Sequence, residues 1–363
     1  MKKNYFMLAL ASMMMAACAN NDLVDEGVVK ETPQAIGFET FANKATRAVV
    51  KAENSDAITT TDLSTHHDYF EVWGYKNTTD TYVFGTSTTV GVKVNSADGT
   101  YSPLKFWDKA ATKYEFYAAA PYNKGWKLNV GSTQAEDYFT LTDFVLNGFC
   151  LDVVGGTDPS PANTFKGTDD VDLMIASAAP VTSFTDDVSL TFNHILSRLN
   201  ITVKKGSTLA DNSIKLEIKE VSVHNLVSNG SFDESVTTGH RWSDATTPAN
   251  YDISGKAVSE VVNSNTYYVL QALVIPQDVD FAALKRDGSD ADDSTSKPYI
   301  YIKYEIGGEN YEAYYNLADA FGATSGSISF KEGYQNTLNI TIDADLITFT
   351  ATAFDWDNKS SSI

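Results

Sequence analysis

The sequence predicts an all-β protein that consists of two antiparallel β-sandwich domains in tandem. From residue 34 onward, short segments with alternating apolar and polar side chains follow one another, which is the pattern of half-buried strands. Clusters of Gly, Asn, Asp and Ser separate these segments at the spacing typical of sandwiches. Helical periodicity is confined to a turn or two at 281–286 and 317–321. A chain of 363 residues is long enough for two such domains.

The composition limits the kinds of partner. The chain carries 47 Asp and Glu residues against 27 Lys and Arg residues, a formal net charge of −20. Nucleic-acid binding and electrostatic docking on anionic lipid both need a basic surface, so this balance argues against both. Hydrophobic residues make up 43% of the chain, which is enough to form packed cores.

Residues 1–17 have the pattern of a secretory signal, in which two lysines precede an apolar run. The run Met15-Ala16-Ala17-Cys18 resembles a bacterial lipobox, which implies cleavage between Ala17 and Cys18 and a lipid on the cysteine. A plain secretory signal with an incidental cysteine is the alternative. The polar, acidic residues 20–26 resemble the signal that sends Bacteroidetes lipoproteins to the outer face of the outer membrane.

The segment that follows the signal, residues 18–47, contains a candidate strand and a basic site. Ile36 and Phe38 lie two residues apart, as apolar side chains on one face of a strand do. A turn of small residues follows, and it carries Arg47 and Ala48 where a protease has access. The segment is therefore either an ordinary first strand with a solvated loop or a strand built to be cut away.

Further candidate strands are spread along the rest of the chain. They lie at 69–75, 82–84, 90–94, 114–118, 190–192, 199–203, 214–223, 267–275, 299–306, 311–315, 338–342 and 347–356. Irregular stretches rich in turn-forming residues are expected at 155–170, 225–254 and 287–297. The domain boundary is predicted between residues 186 and 187, so that the N-terminal sandwich covers 48–186 and the C-terminal sandwich covers 187–363.

Catalysis finds little support in the sequence. The five histidines are scattered without the spacing of metal ligands, at His66, His67, His194, His224 and His240. No nucleophile elbow, phosphate-binding loop or dinucleotide-binding fingerprint is present. Because Cys18 is expected to carry a lipid, Cys150 has no cysteine partner, and its apolar neighbours predict that it packs in a core. We therefore expect no catalytic residue, no metal site, no cofactor and no enzymatic activity.

Six motifs, in order along nearly the whole mature chain, resemble those of the fimbrillin family. They are Lys105-Phe106-Trp107 with the run 114–122, Asp172-Leu173-Met174, the run 192–201 (F-N-H-I-L-S-R-L-N-I), Val274-Ile275-Pro276-Gln277, Gly333-Tyr334, and Trp356. The resemblance implies a subunit of the Bacteroidetes type V fimbria with two transthyretin-like sandwiches. It also implies a lipoprotein precursor at the outer membrane, a mature form in the fimbrium, adhesion to host or bacterial surfaces, and biofilm formation.

The resemblance further implies how such a subunit assembles. An arginine-directed protease removes the first strand, which in this chain places the cut between Arg47 and Ala48 and releases residues 18–47 with the lipid. The vacated groove then takes a C-terminal strand from the next subunit, so the expected partners are other fimbrial subunits.

The best candidate for the donated strand is the last one. Ile347, Phe349, Ala351 and Ala353 alternate there with threonines, as in a strand with one apolar face. If this segment is instead the last strand of its own domain, the chain accepts a strand and donates none, as a tip or accessory subunit would.

A surface lipoprotein that binds glycans and does not polymerise is the alternative function. The adjacent pairs Tyr267-Tyr268 and Tyr314-Tyr315 would then supply a platform for a sugar ring, unless one ring of each pair lies in the core.

Overall fold

Strands and the turns between them make up nearly all of the fold. The computed structural model describes residues 33–42, 61–77, 81–86, 90–156, 165, 170–209, 214–244, 250–254, 260–262, 267–280, 297–323, 326–344 and 347–355. In chain order the strands are β1 (Phe38–Ala42), β2 (Thr61–Asp62), β3 (Tyr69–Lys76), β4 (Tyr82–Phe84), β5 (Val92–Asn95), β6 (Tyr114–Ala120), β7 (Lys127–Asn129), β8 (Tyr138–Val145), β9 (Cys150–Gly156), β10 (Met174–Ser177), β11 (Val188–His194), β12 (Ser197–Lys205), β13 (Leu216–Val227), β14 (Asn229–Asp233), β15 (Trp242–Asp244), β16 (Asn250–Ser254), β17 (Glu260–Val262), β18 (Tyr267–Val274), β19 (Gln277–Asp280), β20 (Tyr299–Ile306), β21 (Glu309–Asn316), β22 (Ser327–Phe330), β23 (Tyr334–Ile342) and β24 (Ile347–Asp355). The described helical elements are α1 (Leu317–Ala320) and 3₁₀ turns at Leu63–Thr65, Gln134–Glu136 and Ser207–Leu209. The all-β fold class is therefore confirmed.

Every predicted strand segment overlaps an observed strand. The helical turn predicted at 317–321 is confirmed as α1, which begins after Asn316 because the Asn316 side chain accepts a hydrogen bond from the Asp319 N–H. The turn predicted at 281–286 lies outside the described residues. Among the described helices, none has the length and hydropathy needed to span a bilayer.

The first sheet contains the front of the chain. Its strand order is β2-β1-β11-β10-β6-β3-β4, with β5 also paired to β3. The other pairs are antiparallel, but β1 runs parallel to β11. A cluster of buried side chains that includes Phe70, Phe116, Leu190 and Phe192 packs against this sheet.

The other sheets enclose a larger core. They have the orders β24-β23-β12-β18-β9, β16-β13-β20-β21 with β17 on β13, β15-β14-β8-β7, and β19-β22. Leu199 and Ile201 from β12, Val221 from β13 and Leu338 from β23 are fully buried members of one cluster. Because one set of side chains fills the space between these sheets, they pack face to face as in a sandwich.

The prediction that 225–254 is irregular is wrong, since β14, β15 and β16 lie within it. The ring centroids of Phe232 and Trp242 are 5.5 Å apart, and both side chains are buried. The Trp242 indole N–H also donates to the Ile195 carbonyl, at 2.8 Å. These two aromatic rings supply the buried contacts that hold a Gly- and Ser-rich stretch in strands.

The predicted domain boundary between residues 186 and 187 stays a prediction. Strands from both sides of it are neighbours in three sheets: β10 pairs with β11, β8 with β14, and β9 with β18. Three of the five described sheets therefore draw on both halves of the chain, and the other two contain strands from the C-terminal half alone.

Candidate functional site

The front strand is held along both of its edges. Before β1, the Ile36 N–H donates to the Lys105 carbonyl at 2.9 Å, and the Trp107 N–H donates to the Gln34 carbonyl at 3.0 Å. From Gly37 onward the chain turns to the other neighbour: the Val188 N–H donates to the Gly37 carbonyl at 2.8 Å, and β1 then continues in register with β11. The front segment 34–42 therefore pairs with residues 105–107, with β11 and, at its end, with β2.

The two predicted apolar side chains of this segment are buried in the first core. Ile36 is 1% exposed and Phe38 is 6% exposed, whereas Glu39 beside them is exposed. The Phe38 ring makes edge-on contacts with Phe84, Tyr101 and Phe116, at centroid distances of 5.4, 5.7 and 5.8 Å.

Close backbone approaches shape the groove around this segment. Gly99 has φ +68°, and a Cβ atom on it would lie 2.6 Å from the Phe38 carbonyl oxygen. A Cβ atom on Gly37 would meet the Asp187 carboxylate at 2.0 Å. The Tyr101 hydroxyl adds a 2.7 Å hydrogen bond to the Ile36 carbonyl. Sequence patterns did not point to Gly99 or Tyr101, because their role depends on contact with a strand about 60 residues earlier in the chain.

Several predicted sites lie outside the described residues. These are the signal cleavage site at Ala17 and Cys18, the lipidation site at Cys18, and the maturation site at Arg47 and Ala48. They stay predictions.

The candidate donor strand is paired within its own chain. Along its whole length β24 runs antiparallel to β23, at the end of its sheet. Ile347, Phe349 and Ala351 are half-buried against the larger core, and the Phe349 ring lies 4.5 Å from the Tyr315 ring. Ala353, which the alternation places on the same face, is exposed.

Tyr314 and Tyr315 lie on opposite faces of their strand, and Cys150 packs where expected. Tyr315 faces Phe349, whereas Tyr314 packs beside Tyr301 on the other face, with ring centroids 4.9 Å apart. Tyr268 is 2% exposed. The half-buried Cys150 side chain lies against the larger core.

Three side chains that are distant in sequence form a buried polar cluster. The His194 Nδ1 atom lies 2.6 Å from an Asp172 carboxylate oxygen, and the His66 Nδ1 atom lies 3.8 Å from the same oxygen. The described part of the chain contains no group of three or more His, Cys, Asp or Glu side chains arranged to hold a metal ion. The cluster therefore joins the end of β11 to the turn before β3, and we assign it no metal.

Elsewhere in the fold, the buried carboxyl group of Glu71 has a strongly shifted pKa. Glu71 on β3 is 1% exposed, and burial raises its pKa from 4.5 to about 7. Its two oxygens accept hydrogen bonds from the Gly91 and Asn123 N–H groups, which partly offset the cost of burial. No feature of the sequence marks Glu71, because its isolation from water depends on the strands that cover it.

The family model described as fimbrillin-like matches residues 46–356. The chain belongs to the fimbrillin-like family. No curated relative has a detectably similar sequence.

Several solved structures resemble this fimbrillin-like chain. A putative cell adhesion protein from Bacteroides uniformis has 16% identity, with 89% of this chain and 99% of that chain covered, at a TM-score of 0.43. A fimbrial protein from Bacteroides vulgatus has 14% identity, with 89% and 99% covered, at a TM-score of 0.47. The tip fimbrial protein Mfa3 from Porphyromonas gingivalis has 12% identity, with 81% and 96% covered, at a TM-score of 0.39.

Proposed function

We propose that this protein is a structural and adhesive subunit of a cell-surface fimbria, without catalytic activity, that joins other fimbrial subunits by strand exchange. Membership of the fimbrillin-like family supports the fimbrial and adhesive role. The proposed precursor is anchored in the outer membrane by a lipid on Cys18, and the mature form begins at Ala48 in the fimbrium. The observation that carries the assembly step is the position of segment 34–42, which fills a core groove with two side chains and ends shortly before Arg47.

Removal of the front segment would leave a groove that favours a replacement strand. Burial of Ile36 and Phe38 stabilises the folded chain by about 1.5–3 kcal/mol each. Removal of the segment therefore loses about 3–6 kcal/mol of stabilisation from apolar burial. The backbone edges along β11, along β2 and along 105–107 would lose their partners at the same time. An edge of this kind pairs readily with an added strand.

The last strand carries a side-chain pattern that suits this groove. In β24, Ile347 and Phe349 lie two residues apart, as Ile36 and Phe38 do in the front segment. Placed in the groove in that alignment, β24 would put an isoleucine and a phenylalanine into the two vacated sites. Because donor and acceptor are different surfaces of one chain, repeated exchange produces an open filament.

Donation requires β24 to leave β23. That step loses the Phe349 contact with Tyr315 and the pairing along β24, and it gains equivalent pairing in the next subunit. A chain whose β24 stays on β23 accepts a strand and donates none, which is the accessory-subunit form of the same proposal. Deletion of residues 346–363 separates the two: a donating chain loses the filament growth that the full-length chain shows, whereas an accessory chain forms no filament on its own with or without these residues.

An arginine-specific protease, which leaves Lys44 and Lys51 uncut, tests the assembly step. The purified chain is treated with protease, its N-terminus is identified by mass spectrometry, and filaments are counted by electron microscopy. We expect a cut after Arg47 and filament growth, with both lost in Arg47→Ala and both retained in the matched control Lys44→Ala. Equal cutting and assembly of Arg47→Ala would contradict the strand-release mechanism.

A row of aromatic side chains favours one second candidate, a surface lipoprotein that binds glycans and does not polymerise. The His224 ring stacks on Tyr299 at 4.7 Å, and Tyr299 and Tyr301 both neighbour Tyr314, at 6.3 and 4.9 Å. These half-exposed rings lie on one face of β13, β20 and β21, and aromatic rings of this kind can stack on sugars. Glycan arrays combined with electron microscopy distinguish the candidates, because a specific sugar ligand without filaments would favour this one.

A further inference from the structure

A cavity of about 390 Å³ opens beside β6, β10 and β11, where they approach the ends of β8 and β14. Its volume lies within the range of about 300–1,000 Å³ that small-molecule sites occupy. The lining mixes apolar side chains, Phe139 and Ile175, with polar ones, including Gln134, Glu234 and Arg241. It is therefore neither a dry packing defect nor a purely acidic cleft.

One wall of the cavity is fixed by a carboxylate with several donors. The Tyr117 hydroxyl donates to Asp137 at 2.6 Å, the Gly131 N–H donates at 2.7 Å, and the Tyr75 hydroxyl donates as well. Because these three donors hold the Asp137 carboxylate, it forms a rigid wall.

Another part of the lining presents a donor and an acceptor next to each other. The Arg241 Nε and Nη2 atoms both donate to Glu332, the former at 2.8 Å. The Glu234 Oε2 atom accepts from the Phe139 N–H at 2.9 Å. The remaining pair, Arg241 Nη1 and Glu234 Oε1, is 3.9 Å apart, which is too long for a hydrogen bond.

We propose that this cavity binds one residue of a neutral sugar, with a ring hydroxyl between Arg241 Nη1 and Glu234 Oε1. A hydroxyl both accepts and donates a hydrogen bond, so it satisfies the guanidinium and the carboxylate together. This site adds a ligand to the proposed fimbrial subunit and needs neither removal of β1 nor a second copy of the chain.

The charges at the site disfavour ionic ligands. An anion in the gap would face the Glu234 carboxylate, with Glu332 behind Arg241. A cation would face the Arg241 guanidinium, and it has no acceptor with which to receive that donor's hydrogen bond. A neutral hydroxyl can hydrogen-bond to both the Arg241 guanidinium and the Glu234 carboxylate without placing like charges together.

Ligand-observed saturation-transfer NMR on the purified, uncleaved protein tests the site. The probes are galactose, mannose and N-acetylglucosamine, with acetate and methylammonium as the anionic and cationic comparisons. We expect at least one sugar to bind with a Kd on the order of millimolar, since a ligand of this size has few atoms to contribute. We expect no binding of either ion at the site.

Two variants and a control locate the bound sugar. Glu234→Gln replaces a charged acceptor by a neutral one and should raise the Kd about tenfold. Ala135→Trp, on an exposed position in the lining, should block binding without disturbing the core. Glu312→Gln alters an exposed ion pair with Lys303 elsewhere and should leave the Kd unchanged.

Three results would overturn the inference. They are the absence of sugar binding to the unmodified protein at about ten times the expected Kd, sugar binding that Ala135→Trp leaves intact, and binding of acetate or methylammonium that Ala135→Trp abolishes. Failure of filament assembly would not affect the result, because the experiment uses the uncleaved chain.

Discussion

Replacement of Phe38 by alanine removes a side chain that holds β1 in the first sheet. Phe38 is 6% exposed and contacts the rings of Phe84, Tyr101 and Phe116. Truncation of a buried phenylalanine costs about 3–5 kcal/mol, since the transfer free energy of the ring is lost and a cavity remains. We therefore expect Phe38→Ala to lower the free energy of unfolding of the uncleaved chain by about 3–5 kcal/mol.

Urea denaturation followed by tryptophan fluorescence measures this loss. The midpoint should fall while the slope stays the same, because the surface exposed on unfolding changes little. Glu39→Ala is the matched control: the side chain is exposed on the same strand, and its loss should change stability by no more than about 0.5 kcal/mol. A loss below about 1 kcal/mol for Phe38→Ala would refute the claim that this segment is seated in the core.

Three further substitutions test the groove, the last strand and the buried acid. Gly99→Ala should cost about 1–3 kcal/mol in urea denaturation from its left-handed backbone, and more from the clash with the Phe38 carbonyl. Phe349→Ala should cost about 2 kcal/mol by the same assay, because a half-buried ring loses its contact with Tyr315. Glu71 has a pKa raised to about 7 by burial, so its stabilising protonated form is fully present below pH 4.5 and is lost as the pH rises to about 7. The corresponding loss of about 3 kcal/mol between pH 4.5 and 8, measured by urea denaturation at each pH, should be absent in Glu71→Gln.

Each of these predictions has a matched control. Gly125 has φ +87°, and a Cβ atom on it would have no neighbour within 4 Å. Gly125→Ala should therefore lower the free energy of unfolding by less than Gly99→Ala does. Equal losses of stability would show that the Gly99→Ala side chain does not clash with the Phe38 carbonyl. Thr350→Ala, next to Phe349 and exposed, should leave stability unchanged. Glu312→Gln should retain the pH dependence of the unmodified protein; a Glu71→Gln variant that also retains it would rule out Glu71 as its source.

Alternation along the chain was sufficient to predict the strands with one apolar face. Ile36 and Phe38, and the series from Ile347 to Ala351, were found by this pattern and lie on the core side of their strands. The pattern works because a side-chain period of two turns every second residue to the same face of a strand.

The misses share a physical cause, which is that long-range contacts decide them. The stretch around Phe232 and Trp242 has too many turn-forming residues to look like strands, and it is ordered by burial of these two rings. The raised pKa of Glu71 and the gap between Glu234 and Arg241 depend on chain segments that meet only in the folded protein. A single sequence carries no local signal for such features.

The N-terminus of the protein in isolated fimbriae tests the central claim most directly. Mass spectrometry of the subunit, taken from purified filaments, gives its first residue and any lipid. Removal of the front strand predicts that the chain in filaments begins at Ala48 and lacks residues 18–47. A filament subunit that begins at a lipidated Cys18 and retains Ile36 and Phe38 would contradict strand exchange in this groove.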